Sequence, residues 1–83
     1  MDLFYFAWLR EKVGTGSEQC ALPAEITTVA ALIDWLKTRS PGHATAFADL
    51  ALVRVAVNQD HAGLDAPVRD SDEVAFFPPV TGG

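Results

Sequence analysis

Apolar residues fall into short blocks along the chain, and the spacing within each block differs. Residues 3–9, Leu3-Phe4-Tyr5-Phe6-Ala7-Trp8-Leu9, are apolar throughout and bounded by charge, which predicts a strand. Alternation puts Leu3, Tyr5, Ala7 and Leu9 on one face and Phe4, Phe6 and Trp8 on the other. With both faces apolar, this strand is central and each face needs cover. Arg10-Glu11-Lys12-Val13 leads into a break at Gly14-Thr15-Gly16. Residues 17–22 read as a weaker second strand, so the chain opens with a hairpin and a longer loop.

The period then changes from two to that of a helix. Val29, Leu32, Ile33 and Leu36 stand at i, i+3, i+4 and i+7, behind Thr27 or Thr28 as an N-cap. Asp34 and Lys37 face away from that stripe. Ser40-Pro41-Gly42 is expected to stop the helix, and residues 44–50 have the makings of a short helical turn. Residues 52–57 give a third strand with Val53, Val55 and Val57 inward and Arg54 outward. Asn58-Gln59-Asp60 is a turn by composition, and residues 61–64 suit a short edge strand. Residues 65–72 are a polar connection. Residues 73–77 are the final strand, with Val74 and Phe76 on one face and Phe77 on the other; Pro78-Pro79 ends its ladder.

The order is a hairpin, one amphipathic helix, then further strands. One helix covers one face of one mixed sheet, so the fold class is a two-layer α+β domain, and the order and size fit a β-grasp (ubiquitin-like) fold. The first and last strands are the most apolar and are expected side by side at the centre. Residues 1–83 form one domain, with 78–83 as a projecting tail.

Composition narrows the chemistry. Hydrophobic content of 49% is enough for a core and excludes disorder as the default. The net charge of −5, with Arg10, Lys12, Lys37, Arg39, Arg54 and Arg69 scattered, argues against nucleic acid as a partner. The start of the chain has no basic flank ahead of its apolar run, which is too short to span a bilayer, so no membrane partner is expected. A single cysteine, Cys20, points to a reducing compartment, and a cytoplasmic protein is expected. Cys20 itself reads as a small buried hydrophobe, and His43 and His61 as surface or turn residues. No metal site is expected, because neither histidine has ligands at metal-binding spacing. Gly14-Thr15-Gly16 lacks the features of a phosphate loop. The carboxylates of Asp70-Ser71-Asp72-Glu73 read as a charged turn before a strand.

Two features remain. The sequence closes on Gly82-Gly83 behind Pro78-Pro79-Val80-Thr81, a stiffened, extended lead into a slim end with no Cβ near the terminal carboxylate. A carboxylate is inert until activated, as by adenylation, and nothing in the sequence binds a nucleotide, so another protein must supply ATP and the catalytic groups. Terminal glycines also occur as frayed ends. The second feature is surplus apolar surface: Phe4, Phe6, Trp8 and Phe77 crowd the face opposite the helix and suit a protein interface.

The stretches Phe6-Ala7-Trp8-Leu9-Arg10-Glu11-Lys12-Val13-Gly14 and Ala56-Val57-Asn58-Gln59, and above all the ending Asp72-Glu73-Val74-Ala75-Phe76-Phe77-Pro78-Pro79-Val80-Thr81-Gly82-Gly83, resemble the MoaD family, the small subunits of molybdopterin synthase. The resemblance spans nearly the whole chain; Ser71, where the family often has glycine, and the bulky Trp8 depart from it. It implies a sulfur carrier that is not an enzyme on its own. Gly83 would be adenylated by an E1-like enzyme using ATP and Mg²⁺, then converted to a thiocarboxylate with sulfur from a sulfurtransferase. Within a heterotetramer, the tail of Pro78, Pro79, Val80, Thr81, Gly82 and Gly83 would enter the MoaE-type large subunit, where sulfur passes to cyclic pyranopterin monophosphate (precursor Z). Phe6 and Phe77 would sit in that interface, and no cofactor would reside on this chain. The alternatives are a sulfur carrier for thiamine or cysteine biosynthesis, a ubiquitin-like modifier, and a plain interaction domain.

Overall fold

The computed structural model describes residues 1–79. In chain order it contains β1 (Asp2–Tyr5), α1 (Trp8–Val13), β2 (Ser17–Gln19), α2 (Val29–Lys37), α3 (Pro41–Ala46), a 3₁₀ turn (Leu50–Leu52), β3 (Arg54–Val57), β4 (Asp60–Ala62) and β5 (Glu73–Phe77). Among the described residues the strands form one mixed sheet in the order β2-β1-β5-β3-β4. The most apolar strands, β1 and β5, pair in parallel at its middle, with Leu3 opposite Val74 and Tyr5 opposite Phe76. Both outer pairs are antiparallel. This is the α+β β-grasp architecture expected from the sequence. No helix among the described residues is long and apolar enough to cross a membrane.

The helices lie on one face of the sheet and enclose the core. Thr28 caps α2 as its spacing predicts, its Oγ1 accepting the Ala31 amide at 3.2 Å. Val29, Leu32, Ile33 and Leu36 are all buried against Leu3, Tyr5, Val55, Val74 and Phe76 of the sheet. Phe76 stacks on Tyr5 with ring centroids 5.8 Å apart and meets Phe47 edge-on at 4.9 Å. Such pairs add to simple area burial, and here they hold β5 in place just before the chain leaves the sheet.

Three expectations require correction. The first strand does not run to residue 9: it ends at Tyr5, and Ala7 adopts φ 55°, outside the extended region. Trp8–Val13 is instead a helix closed by Gly14 at φ 96°, whose N–H donates to the Arg10 carbonyl at 2.9 Å. Leu9 still reaches the core, but from a helix. The hairpin pairing of β1 with β2 holds, with a helix in its connection, and β2 is only Ser17–Gln19. Second, α2 does end before Ser40-Pro41-Gly42, at Lys37, but the same residues also open a further helix. Ser40 Oγ accepts the His43 amide at 3.1 Å, and Pro41 occupies the first turn, where its missing N–H costs nothing. Third, the β3–β4 turn is two residues, Asn58 and Gln59, both at positive φ. Strand β4 therefore begins at Asp60, and Leu52 belongs to the 3₁₀ turn rather than to β3.

Gly42 marks the closest approach of α3 to α1: a Cβ there would overlap the Lys12 carbonyl oxygen. Both partners are backbone, so neither side chain can give way. Gly42→Ala is expected to destabilise the fold by about 1–3 kcal/mol, as overpacking does, read as a lower urea midpoint with an unchanged slope.

Candidate docking face and C-terminal tail

Strand alternation sends β1 and β5 residues in turn to the core and to the face away from the helices. On that second face Phe4 stands opposite Ala75, Ala75 opposite Ala56, and Phe77 opposite Arg54, while His61 lies opposite Ala56 on the outer side. Phe4 and Phe77 are half-buried, and Phe6 is 51% exposed. The Phe6 N–H donates to the Phe76 carbonyl at 3.0 Å, which extends the β1–β5 ladder by one step. Phe6 and Phe77 therefore flank the point where Pro78 leaves the sheet. Among the described residues no helix packs on this face.

Three of the four aromatic residues expected on this surface are there. Trp8 is not: the break at Ala7 takes it into α1, where it packs half-buried against the core. Pro78 and Pro79 follow β5 outside the ladder and are half-buried. Val80, Thr81, Gly82 and Gly83, the remainder of the expected tail, lie outside the described residues.

Charge is graded along the same face. At the end away from the tail, Asp2 is directly opposite Glu73, and Gln19 Nε2 donates to Asp2 Oδ1 at 2.8 Å. At the tail end Arg54 lies beside Phe77, its Nη1 donating to the Ala51 and Val53 carbonyls at 3.3 and 3.2 Å. The His61 ring meets Phe77 edge-on at 5.6 Å. Neighbouring carboxylates serve the fold. Asp70 accepts the Leu22 amide and the Met1 ammonium, and Asp72 accepts the Asn58 amide and the Arg69 N–H. These bonds hold both carboxyls below the usual aspartate range.

Sequence reading missed a polar network behind the sheet. His43, read as a surface or turn residue, is buried: its Nε2 lies 2.7 Å from Glu18 Oε2 and its Nδ1 2.7 Å from Ser40 Oγ. Tyr5 Oη donates to the same Glu18 oxygen at 2.8 Å, and Arg39 Nη2 to Oε1 at 3.3 Å. The available signal was local, because His43, Ala46 and Phe47 form an inward stripe at i, i+3 and i+4. Burial pushes the Glu18 carboxyl up, but the hydrogen bonds from His43 and Tyr5, with the charges of His43 and Arg39, outweigh it, and Glu18 titrates below its ordinary value. Burial and the Glu18 contact raise the Tyr5 phenol well above its usual range, and burial raises the half-buried Cys20 thiol. A carboxyl depressed on folding stabilises the native state above its unfolded pKa, and that contribution disappears as pH falls through the folded one. Glu18→Gln is thus expected to flatten the fall in stability between neutral pH and about pH 3, measured as urea midpoints at each pH.

The network ties β2 to α3 and Tyr5, while the face beyond is left to aromatic side chains and the departing chain. The chain is 46% identical to the molybdopterin synthase sulfur carrier subunit of Escherichia coli (strain K12), over 100% of this chain and 99% of that one. It is 36% identical, over the same shares, to the subunit of that name from Haemophilus influenzae. The crystal structure of SAMP1 from Haloferax volcanii superposes with a TM-score of 0.77 at 30% identity, covering 100% of this chain and 98% of that one. A family model matches residues 3–83 as well, and with aligned relatives of nearly equal length the conclusion is direct: the chain belongs to the ThiS family.

Proposed function

We propose that this chain is the sulfur-carrier subunit of a molybdopterin synthase and that Gly83 carries the sulfur. The observation that supports this best is positional. The central strand β5 runs out between Phe6 and Phe77 on the uncovered face, so a partner docked there would receive residues 78–83 directly. An E1-like enzyme with ATP and Mg²⁺ adenylates the Gly83 carboxylate, releasing pyrophosphate. A persulfide on a sulfurtransferase then displaces AMP to give an acyl disulfide, and a thiol cleaves this, leaving the thiocarboxylate and a disulfide. The MoaE-type large subunit supplies the catalytic residues that pass this sulfur to cyclic pyranopterin monophosphate, and the carrier returns to an ordinary carboxylate. Two carriers on a dimer of large subunits make the heterotetramer, in the cytoplasm.

Intact mass spectrometry tests the carrier reading. After incubation with the activating enzyme, ATP and a sulfur source, the chain should gain the mass of sulfur replacing oxygen, and the gain should vanish when Gly82-Gly83 is deleted. A chain that keeps its mass, beside another carrier that is converted by the same enzyme, would sink the proposal. The likeness to SAMP1, a small archaeal modifier protein, favours one second reading, attachment through Gly83 to lysines of other proteins. Covalent adducts that survive denaturing gels would reveal it.

A further inference from the structure

The docking face carries more than aromatic surface. Arg54 and His61 stand on it diagonally, one step apart across β3 and β4, and both border Phe77. The Arg54 guanidinium bonds two carbonyls through Nη1, and no hydrogen bond occupies its Nη2 among the described residues. The His61 ring is exposed, meets Phe77 edge-on, and makes no hydrogen bond among the described residues. In a chain of net charge −5, a pair of cation-capable side chains at the aromatic end of the face runs against the overall balance. The carboxylates of the face, Asp2 and Glu73, lie at its other end.

We propose that Arg54 and His61 together receive a carboxylate of the docked partner, and that His61 makes this contact tighten as pH falls from about 8 to about 6. The inference rests on the docking reading given above and adds to it the chemistry of the partner surface: an apolar patch for Phe6 and Phe77, with an acidic side chain at its border. Histidine is the side chain that ordinarily gains charge in this window, whereas carboxylates and guanidinium keep theirs. The groups around His61 are few. β3 presents Arg54 and Ala56 on the shared face, with Asn58 in the turn beyond, and β5 presents Ala75 and Phe77, with Glu73 one step further on. Asp60 precedes His61 in β4 and alternates to the other face, and Asp65 approaches Gly63 in the loop that follows. Once the partner excludes water, an imidazolium beside a carboxylate forms a charge-assisted hydrogen bond, stronger than a neutral one.

Calorimetric titration of the full chain into its cognate large subunit, at about pH 8 and about pH 6, tests this. The wild-type chain should bind about five- to tenfold tighter at the lower pH, the scale of one charge-assisted bond. His61→Phe keeps an aromatic ring against Phe77 and should bind equally at both values. Arg54→Gln should bind more weakly at both, with less sensitivity to added salt. Affinity that is flat with pH, that weakens on acidification, or that keeps its slope in His61→Phe would overturn the proposal and leave the docking reading standing. Failure of the wild-type chain to bind at either pH would overturn the docking reading, and this inference with it.

Discussion

Gly83→Ala should lower molybdopterin formation in a reconstituted synthase by about a hundredfold, the scale on which a small misplacement of reacting atoms is felt. The fold should be untouched, because the core closes on β5 and ends with Phe76. The added methyl sits on the carbon next to the reacting carboxyl. On the proposed route it would hinder the approach of the carboxylate oxygen to the α-phosphorus of ATP during adenylation, and attack on the carboxyl carbon during sulfur transfer. Glycine also reaches backbone conformations that alanine does not, which matters when a chain end must thread a narrow channel. Two measurements separate these effects. The rate of pyrophosphate release reports adenylation, and product formation from chemically prepared thiocarboxylate reports delivery alone. An unchanged rate of molybdopterin formation would show that the terminal position tolerates a side chain and overturn the steric argument. Equal loss in both measurements would place the defect in general access to the terminal carbon, and loss only in the second would place it in the channel of the large subunit.

How far the sequence foretold the structure depends on the range of the forces at each position. Local signals were reliable where packing agreed with them. Thr28 caps α2, its four-residue stripe is fully buried, and β5 begins and ends where Glu73 and Pro78 place it. The pairing of β1 with β5 followed from their shared apolarity. The run at residues 3–9 misled because a continuous apolar block satisfies a strand and a buried helix equally well. The choice is made at Ala7, by a positive φ that no side chain announces, and by the close contact of α1 with Gly42 some thirty residues away in α3. Pro41 carried two signals, of which only the stop to α2 was read: the residue that breaks a helix interior also opens one at its first turn. The burial of His43 was legible from its stripe with Ala46 and Phe47, but the partner that satisfies its ring, Glu18, is 25 positions distant. At the site, the pattern exposed Phe4, Phe6 and Phe77 as surplus apolar surface and was right about their common face. Trp8 followed the strand error. The placing of Arg54 and His61 beside Phe77 could not be read beforehand, because the turn at Asn58-Gln59 sets the register that puts them diagonally on one face.

Phe77→Asp should weaken binding to the large subunit by well over tenfold, since an unpaired charge buried in an interface costs about 3 kcal/mol or more. The position is favourable for such a test. Phe77 is half-buried in the chain alone and faces away from the core, so aspartate there meets water until the partner arrives. The cost therefore falls on the complex and not on the fold. Arg54 lies directly opposite and would partly neutralise the new carboxylate, so the loss in Phe77→Asp should grow when Arg54 is also changed to Gln. Phe77→Leu keeps the face apolar and should cost far less, which separates loss of shape from burial of charge. Adenylation of Gly83 in the Phe77→Asp chain gives a further distinction. Wild-type adenylation with lost synthase binding would assign Phe77 to the large-subunit interface alone. Loss of both would mean that the activating enzyme and the synthase read the same aromatic face and bind the carrier in turn. Wild-type affinity in Phe77→Asp would remove that face from docking altogether, and the tail would then have to enter its partner from the other side of the sheet.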